Sequence, residues 1–368
     1  MSKHFKIQKA LLPLSFIYGL IVGIRNKLFD WGILPSEEFS VPVISIGNLS
    51  VGGTGKTPHT EYLIRLLSKK YKIAVLSRGY KRKTNGFVLA EGNVNSHQIG
   101  DEPYQMFRKF PEITVAVDSN RRQGIKQLLS LPNEKRPEII LLDDAFQHRY
   151  VRPSLSILLS DSNRLYYKDA LLPAGRLRET AKNNLRAQVV IITKCSESFM
   201  QADYKVVTKE LNLAPYQQLF FTSYKYAQIM PVFPEYSSNE LTLQSFDNKN
   251  CSVLLVTGIA NPKGLINQVE GYTSHLSTLI YADHHDFTYR DIQQINSMFN
   301  QLQGAKKLII TTEKDAVRLI DNEYLPSELK PVIYYLPIEV VFNLDQEELF
   351  IQNIENHVTK FKRNRILA

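Results

Sequence analysis

From Val41 onward, short apolar runs alternate with stretches of helical periodicity. Residues 43–46, 73–77, 114–117, 139–142, 155–159 and 189–193 read as buried strands, and helical patterns over 58–70, 103–110 and 122–129 separate several of them. Strands joined through helices pair in parallel, so this part of the chain is expected to form one doubly wound sheet of about six strands. Residues 220–234 are extended but carry Pro231 and Pro234, which excludes a central strand and reads as a connector. A second α/β series starts at 252–257, with further strands near 276–281, 307–310 and 332–341. Pro337 interrupts the last of these, so its far half is expected to run back beside the connector. The divisions are an N-terminal segment at 1–28, a first domain over 29–218, a linker strand at 219–238, a second, smaller α/β domain over 239–332, and a return strand with a C-terminal helix over 333–368.

Residues 10–24 form a charge-free run bracketed by Lys6 and Lys9 before it and Arg25 and Lys27 after it. Spanning a bilayer takes about 20 apolar residues, so the run is too short, and residues 25–32 offer no small-x-small cleavage site for a secretory signal. Cationic flanks around Leu, Ile, Phe and Tyr describe a helix able to lie in a lipid interface, and a core helix of the first domain is the other reading.

The chain has 368 residues, 43% hydrophobic and 22% charged, which excludes a disordered tail and a disulfide-stapled miniprotein and suits two domains. Its 45 Lys and Arg against 36 Asp and Glu give a net charge of +9, which attracts anions of every kind without choosing among them. Cys195 and Cys251 lie far apart beside apolar runs, which argues against structural zinc and fits a reducing compartment. Basic residues lack aromatic interleaving and nucleic-acid module signatures, so no nucleic acid is expected.

The chemistry concentrates after the first strand, in Gly47-Asn48-Leu49-Ser50-Val51-Gly52-Gly53-Thr54-Gly55-Lys56-Thr57-Pro58. Between a strand and a helix this is a phosphate-binding loop: Gly52, Gly53, Thr54 and Gly55 turn backbone N–H groups inward, Lys56 reaches the β and γ oxygens of a nucleotide, and Thr57 offers a hydroxyl to Mg²⁺. Ser50 stands where the strict spacing has glycine. The strand at 139–142 ends in Asp143 and Asp144, either of which can hold the magnesium shell. Thr193-Lys194-Cys195-Ser196 occupies the place of a guanine-reading tetrad but lacks its carboxylate, which favours ATP over GTP. Thr312 reads as the cap of a helix in the second series. Arg78, Arg121, Arg176 and Arg178 fall where open α/β sheets bind ligands, and Gln147 and His148 lie close to the acidic pair, so all six are candidate substrate contacts.

These segments, with Ser77-Arg78-Gly79-Tyr80, Gly100-Asp101-Glu102-Pro103, Asp143-Asp144-Ala145-Phe146-Gln147-His148, Leu171-Leu172-Pro173-Ala174-Gly175, Thr257-Gly258-Ile259-Ala260-Asn261-Pro262, Asp283-His284-His285 and Lys314-Asp315, resemble the tetraacyldisaccharide 4′-kinase family over nearly the whole chain. Ala145, Arg176 and Thr180 depart from its usual pattern. The resemblance implies a P-loop kinase domain and a smaller α/β domain joined by a two-stranded linker. It also implies ATP and Mg²⁺, a lipid A precursor (an acylated disaccharide 1-phosphate) as acceptor, a peripheral or monotopic place on the cytoplasmic face of an inner membrane reached through the N-terminal helix, and no protein partner. The family's acid–base pair carries over to Asp101 and His284. As Asp101 falls in the first series and His284 in the second, the pair is expected to meet only across an interdomain cleft. A membrane-bound P-loop switch protein, turning over by hydrolysis alone, is the alternative, and the second α/β series speaks against it.

Overall fold

The protein is described by a computed structural model covering residues 7–196, 199–237, 251–304 and 306–366. Lys6 and the start of the N-terminal segment lie outside these residues, as do 239–250 at the head of the expected second domain. In chain order the first elements are α1 (Leu12–Asp30), β1 (Val43–Asn48), α2 (Lys56–Leu67), β2 (Ile73–Ser77), β3 (Val88–Leu89), α3 (Ser96–Ile99), α4 (Asp101–Lys109), β4 (Thr114–Val117) and α5 (Arg121–Leu129). There follow β5 (Ile139–Asp143), β6 (Leu155–Asp161), β7 (Val189–Thr193), α6 (Gln201–Leu211), β8 (Gln218–Tyr226) and β9 (Met230–Pro231). The remainder is β10 (Cys251–Thr257), α7 (Lys263–Glu270), β11 (His275–Ile280), α8 (Tyr289–Gln301), β12 (Lys306–Thr312), α9 (Glu313–Ile320), β13 (Ile333–Leu336), β14 (Ile338–Phe342) and α10 (Glu347–Ile366).

Two compact units result: unit 1 comprises Met1–Gly92, Met106–Tyr224 and Val340–Ala368, and unit 2 comprises Asn93–Gln105 and Lys225–Glu339. The larger sheet runs β14-β8-β7-β6-β1-β5-β2-β4-β3. β1 lies between β5 and β6, and its pairings with both are parallel, as are those of β2 with β4 and β5 and of β7 with β6 and β8. The central strands are rich in Val, Ile and Leu and buried along nearly their whole length, because helices and loops cover both faces. β1 thus sits mid-sheet, and its carboxyl end opens into the glycine-rich loop.

The connector expected at 220–234 is in part a true strand. β8 pairs in parallel with β7 from Val189↔Gln218 to Ile192↔Phe221, because Phe220 and Phe221 are both buried and extend the sheet. Only at β9, where Pro231 sits on an edge strand of the second sheet, does the proline limit apply. Pro337 separates β13 from β14, and β14 lies next to β8 as the break in the pattern predicts.

Within unit 2, the order β11-β10-β12-β13-β9 gives a small sheet that is parallel except at its β9 edge. Leu254, Val256 and Ile309 pack against Ile292 and Ile295 of α8 and Leu319 of α9. The other face meets Leu265 and Val269 of α7 through Val253, Leu255 and Ile310. Both cysteines are buried.

The N-terminal helix continues past the apolar run to Asp30, and by length and composition α1 with its preceding turn is long enough to cross a membrane. It is not a core helix. One face docks on unit 1, where the Ser15 hydroxyl donates to the Leu171 carbonyl at 3.0 Å and accepts from the Ala174 amide at 2.9 Å, and the Tyr18 hydroxyl donates to the Arg178 carbonyl at 2.9 Å. Phe29 meets Tyr150 edge-on, with the Arg25 and Arg149 guanidinium groups over its ring. The other face leaves Leu12, Leu14, Phe16, Ile17, Leu20, Ile21 and Ile24 exposed, Phe16 by 74%.

Candidate active site

The loop after β1 has the geometry its glycines suggest. Gly52 and Gly55 have φ of +112° and +89°, a region that costs L side chains energy, and Gly55 caps α2. A Cβ on Gly55 would in addition stand 1.7 Å from the Tyr224 hydroxyl. Asn48 braces the loop by donating to the Thr54 hydroxyl at 2.8 Å, and the Thr193 hydroxyl donates to the Thr54 carbonyl at 2.8 Å. Lys194 adds a hydrogen bond to the Gly53 carbonyl and pairs with Asp161 at 2.8 Å. Read from the sequence only as a failed guanine motif, Thr193 and Lys194 instead clasp the phosphate loop from β7.

Behind the loop, His59 is buried between the Gly55 carbonyl, 2.7 Å from Nδ1, and the Thr222 hydroxyl, 3.0 Å from Nε2. Burial pulls its pKa down to about 4 although the Gly55 bond opposes this. The ring is therefore neutral, with Nδ1–H donating to Gly55 and Nε2 accepting from Thr222.

Lys56 and Thr57 occupy the first turn of α2, and Lys56 Nζ lies 3.6 Å from Asp144 Oδ1. Asp143 ends β5, is buried, and accepts from the Thr60 hydroxyl at 3.3 Å, whereas Asp144 turns into the left-handed region at φ +47°. The adjacent carboxylates thus face different partners, as neighbouring residues at a strand end do. Burial pushes the Asp144 carboxyl up, and the charges of Lys56, Arg178 and Arg121 outweigh it and hold the group below the usual carboxylate range. Two carboxylates and the Thr57 hydroxyl are hard oxygen donors that suit Mg²⁺, which takes few protein ligands and completes its shell with phosphate oxygens and water.

Arg178 donates to Asp144 at 3.2 Å and to Gln147 Oε1 at 3.2 Å, while Gln147 Nε2 donates to the Asn48 carbonyl at 2.7 Å. Arg176 is exposed with its guanidinium beside Gly52. Arg121 begins α5 nearly enclosed, and burial pulls it down to about 10 against the opposing charge of Asp144. Arg78 is exposed at the end of β2. His148 is pulled down to about 4, first by burial and then by the positive charges of Arg121, Arg25, Arg122 and Arg78. Unit 1 thus gathers the loop, both aspartates and these six candidate contacts into one electropositive region. Arg25, which donates to the Gln147 carbonyl at 3.1 Å, joins them from α1.

Asp101 and His284 meet, but not in the way the order of the motifs predicts. Both belong to unit 2, because Asn93–Gln105 leaves the first series to pack there, with the Ser96 amide at 3.2 Å and the Tyr104 hydroxyl at 3.1 Å both donating to Asp321. His284 Nδ1 lies 3.3 Å from Asp101 Oδ2, and Arg318 donates to the same oxygen through Nε at 3.2 Å and again through its terminal NH2. Burial raises the Asp101 carboxyl, yet the bonds from His284 and Arg318 prevail and hold it down at about 2. Arg318 is itself fixed by Asp315 at 3.3 Å and by the His285 carbonyl at 3.2 Å. Asp315 is wholly buried and accepts from the Thr257 hydroxyl, the Gly258 amide and the Thr312 hydroxyl, and Thr312 caps α9 as expected. The neighbouring His285 is turned away, 2.9 Å from Asp291 and stacked on Tyr281. The sequence reading missed Arg318, whose signal was its place one helical turn after Asp315 on the same face.

The family model described as LpxK, tetraacyldisaccharide-1-P 4′-kinase, matches residues 7–359. A protein named tetraacyldisaccharide 4′-kinase from Bacteroides thetaiotaomicron is 55% identical over 99% of this chain and 97% of its own length. One of the same name from Phocaeicola vulgatus is 53% identical over 98% of this chain and 97% of its own. A crystal structure of LpxK from Aquifex aeolicus in complex with ATP superposes with a TM-score of 0.73 at 28% identity, covering 95% of this chain and 99% of that one. A match this continuous from residue 7 to 359, with the phosphate loop and the Asp101–His284 contact inside it, makes the chain a member of the tetraacyldisaccharide-1-P 4′-kinase family.

Proposed function

We propose that this protein transfers the γ-phosphoryl group of ATP to the 4′-hydroxyl of a tetraacylated disaccharide 1-phosphate, giving the 4′-phosphorylated lipid A precursor. The observation that carries the proposal is the β1–loop–α2 cradle with Lys56, Asp144 and Arg178 held together at its mouth. In this reading the amides of Gly52 to Gly55 bind the nucleotide phosphates and Lys56 stabilises charge on the transferring group. Thr57 with Asp143 or Asp144 would hold Mg²⁺, which supplies charge neutralisation at the phosphates. Arg78, Arg121, Gln147, His148, Arg176 and Arg178 bind and orient the anionic substrates. Asp101 accepts the proton of the attacking hydroxyl, and His284 orients it.

Membership of a lipid A kinase family suggests membrane association. We place α1 in the lipid interface as a monotopic anchor: its inner face is tied to unit 1 by hydrogen bonds, while its outer face offers apolar side chains with no partner among the described residues. The cytoplasmic face of the inner membrane is the side where ATP is available.

The test is incubation of the purified protein with γ-labelled ATP, Mg²⁺ and the tetraacylated disaccharide 1-phosphate in mixed micelles. Label recovered on the extracted lipid is the expected result. Nucleotide hydrolysis without labelled lipid would overturn the proposal in favour of a switch protein.

A further inference from the structure

The hydrogen bonds around His284 are over-determined in a way that the acid–base pair alone does not require. Lys314, in the first turn of α9, places Nζ 2.9 Å from His284 Nε2 and 3.2 Å from Asp283 Oδ1. An ammonium group has three donors and no acceptor, so this contact is a hydrogen bond only if Nε2 carries a lone pair. The single imidazole proton of neutral His284 then sits on Nδ1, where it faces Asp101 Oδ2 at 3.3 Å. The opposite tautomer would turn Nε2–H against the ammonium, and Nδ1 could then bond only to Arg318 NH2 at 3.1 Å, losing Asp101. The first arrangement satisfies both Lys314 and Asp101; it makes the 3.1 Å contact of Arg318 NH2 with Nδ1 one between two donors, and that NH2 has Asp101 as its acceptor while NH1 has Asp315. The backbone reinforces it: His284 has φ of +61° and its amide donates to the Gly258 carbonyl at 3.2 Å, which holds the ring where α9 can reach it.

We infer that Lys314 is a positioning residue that fixes His284 as the neutral Nδ1–H tautomer and so aims its proton at Asp101. This rests on the proposal that Asp101 and His284 are the acid–base pair. The charged groups around the imidazole are Asp101 on α4, Asp283 beside it in the chain, and Lys314, Asp315 and Arg318 on α9. With both ring nitrogens engaged, His284 orients Asp101, and the proton from the sugar hydroxyl goes to the carboxylate. The same logic makes a misplaced histidine tautomer costly in hydrolytic triads, where geometry survives and turnover does not.

The test uses the full chain labelled with ¹⁵N in its histidine rings, with the His284 signals assigned by their loss in His284→Gln. Long-range proton–nitrogen correlation at neutral pH should show His284 protonated at Nδ1 and bare at Nε2. Lys314→Met should bring in the Nε2–H form and lower kcat on the order of 100-fold with little change in the KM for ATP. Lys314→Arg, which keeps a donor there, should restore the Nδ1–H signal and much of the rate. A wild-type spectrum showing Nε2–H or a doubly protonated ring overturns the inference, as does an unchanged tautomer in Lys314→Met. Should His284→Gln turn over normally, the acid–base assignment fails instead, while the spectra still decide the role of Lys314.

Discussion

Arg318→Gln tests whether the strength of Asp101 as an acid is set by its neighbours. Arg318 places two donors on Asp101 Oδ2 and is only 4% exposed, so its charge is poorly screened. With it gone, burial still raises the Asp101 carboxyl and the bond to His284 alone opposes. A return from about 2 toward the ordinary 3.8 is expected. At 1.36 kcal/mol per pKa unit this is about 2.5 kcal/mol. The sign follows from a folded-state value lying below the unfolded one. Asp101 contributes that stability above pH 4, and the contribution disappears as the pH falls toward 2. Arg318→Gln should therefore destabilise unit 2 at neutral pH and not at the acid extreme. The direct assay is carboxyl ¹³C NMR over pH 2–7, with the Asp101 signal assigned through Asp101→Asn. Its midpoint should lie near 2 in the native protein and clearly higher, toward 3.8, in the variant, and Arg318→Lys should fall between. Coincident midpoints in native protein and variant would refute the reasoning and assign the low value to His284.

Three further outcomes are expected. Lys56→Ala should lower kcat by about 100-fold or more with an unchanged melting temperature, because the side chain meets a transferring charge and little core, and near-normal turnover at saturating ATP would remove the loop from the chemistry. Replacing Phe16, Leu20 and Ile24 together by Ser should abolish sedimentation with anionic vesicles while leaving the fold intact, since all three are exposed; equal sedimentation would detach α1 from the membrane reading. His59 has a folded pKa of about 4 against an ordinary 6.5, so its contribution to stability is complete above pH 6.5 and lost as the pH falls toward 4. Urea midpoints of native protein should therefore drop more steeply from pH 7.5 to 5 than those of His59→Gln, by an amount equivalent to about 2 kcal/mol, and parallel pH dependences would show that the buried ring does not titrate there.

The legible parts of the molecule were those governed by local pattern. Buried parallel strands such as Ile73–Ser77 and Val189–Thr193 are runs dominated by small and branched apolar residues, and Pro337 announces its own break between two strands. The phosphate loop was readable because its glycines answer a backbone requirement at fixed positions. What escaped depends on contacts remote in sequence. The stretch 220–234 looked like a connector because of its two prolines, but Phe220, Phe221 and Thr222 bury its first part as a sheet strand. Asn93–Gln105 carries no sign that Asp321, more than 200 residues away, will draw it into unit 2. Lys314 was legible only as part of the Lys314-Asp315 segment, and Arg318 not at all, until the fold sets Asp101 and His284 beside them.

An aspartate held near 2 is a feeble base, which constrains the step that the proposed acid–base role gives it. A sugar hydroxyl is a still weaker acid, so Asp101 cannot strip its proton before attack. It can take the proton late, once bonding to phosphorus has begun and the hydroxyl has become strongly acidic, as a loose phosphoryl transfer allows. The low pKa then keeps the carboxylate charged and ready at every physiological pH, and the fixed imidazole proton with two guanidinium donors orients it without competing for the incoming one. On the proposed assignment, rate enhancement comes chiefly from Lys56 and the loop amides, where charge would develop on the transferring group. Loss of Asp101 should accordingly cost less turnover than loss of Lys56, and a larger loss in the Asp101 variant would show that proton removal leads phosphorus–oxygen bond formation and refute the late transfer.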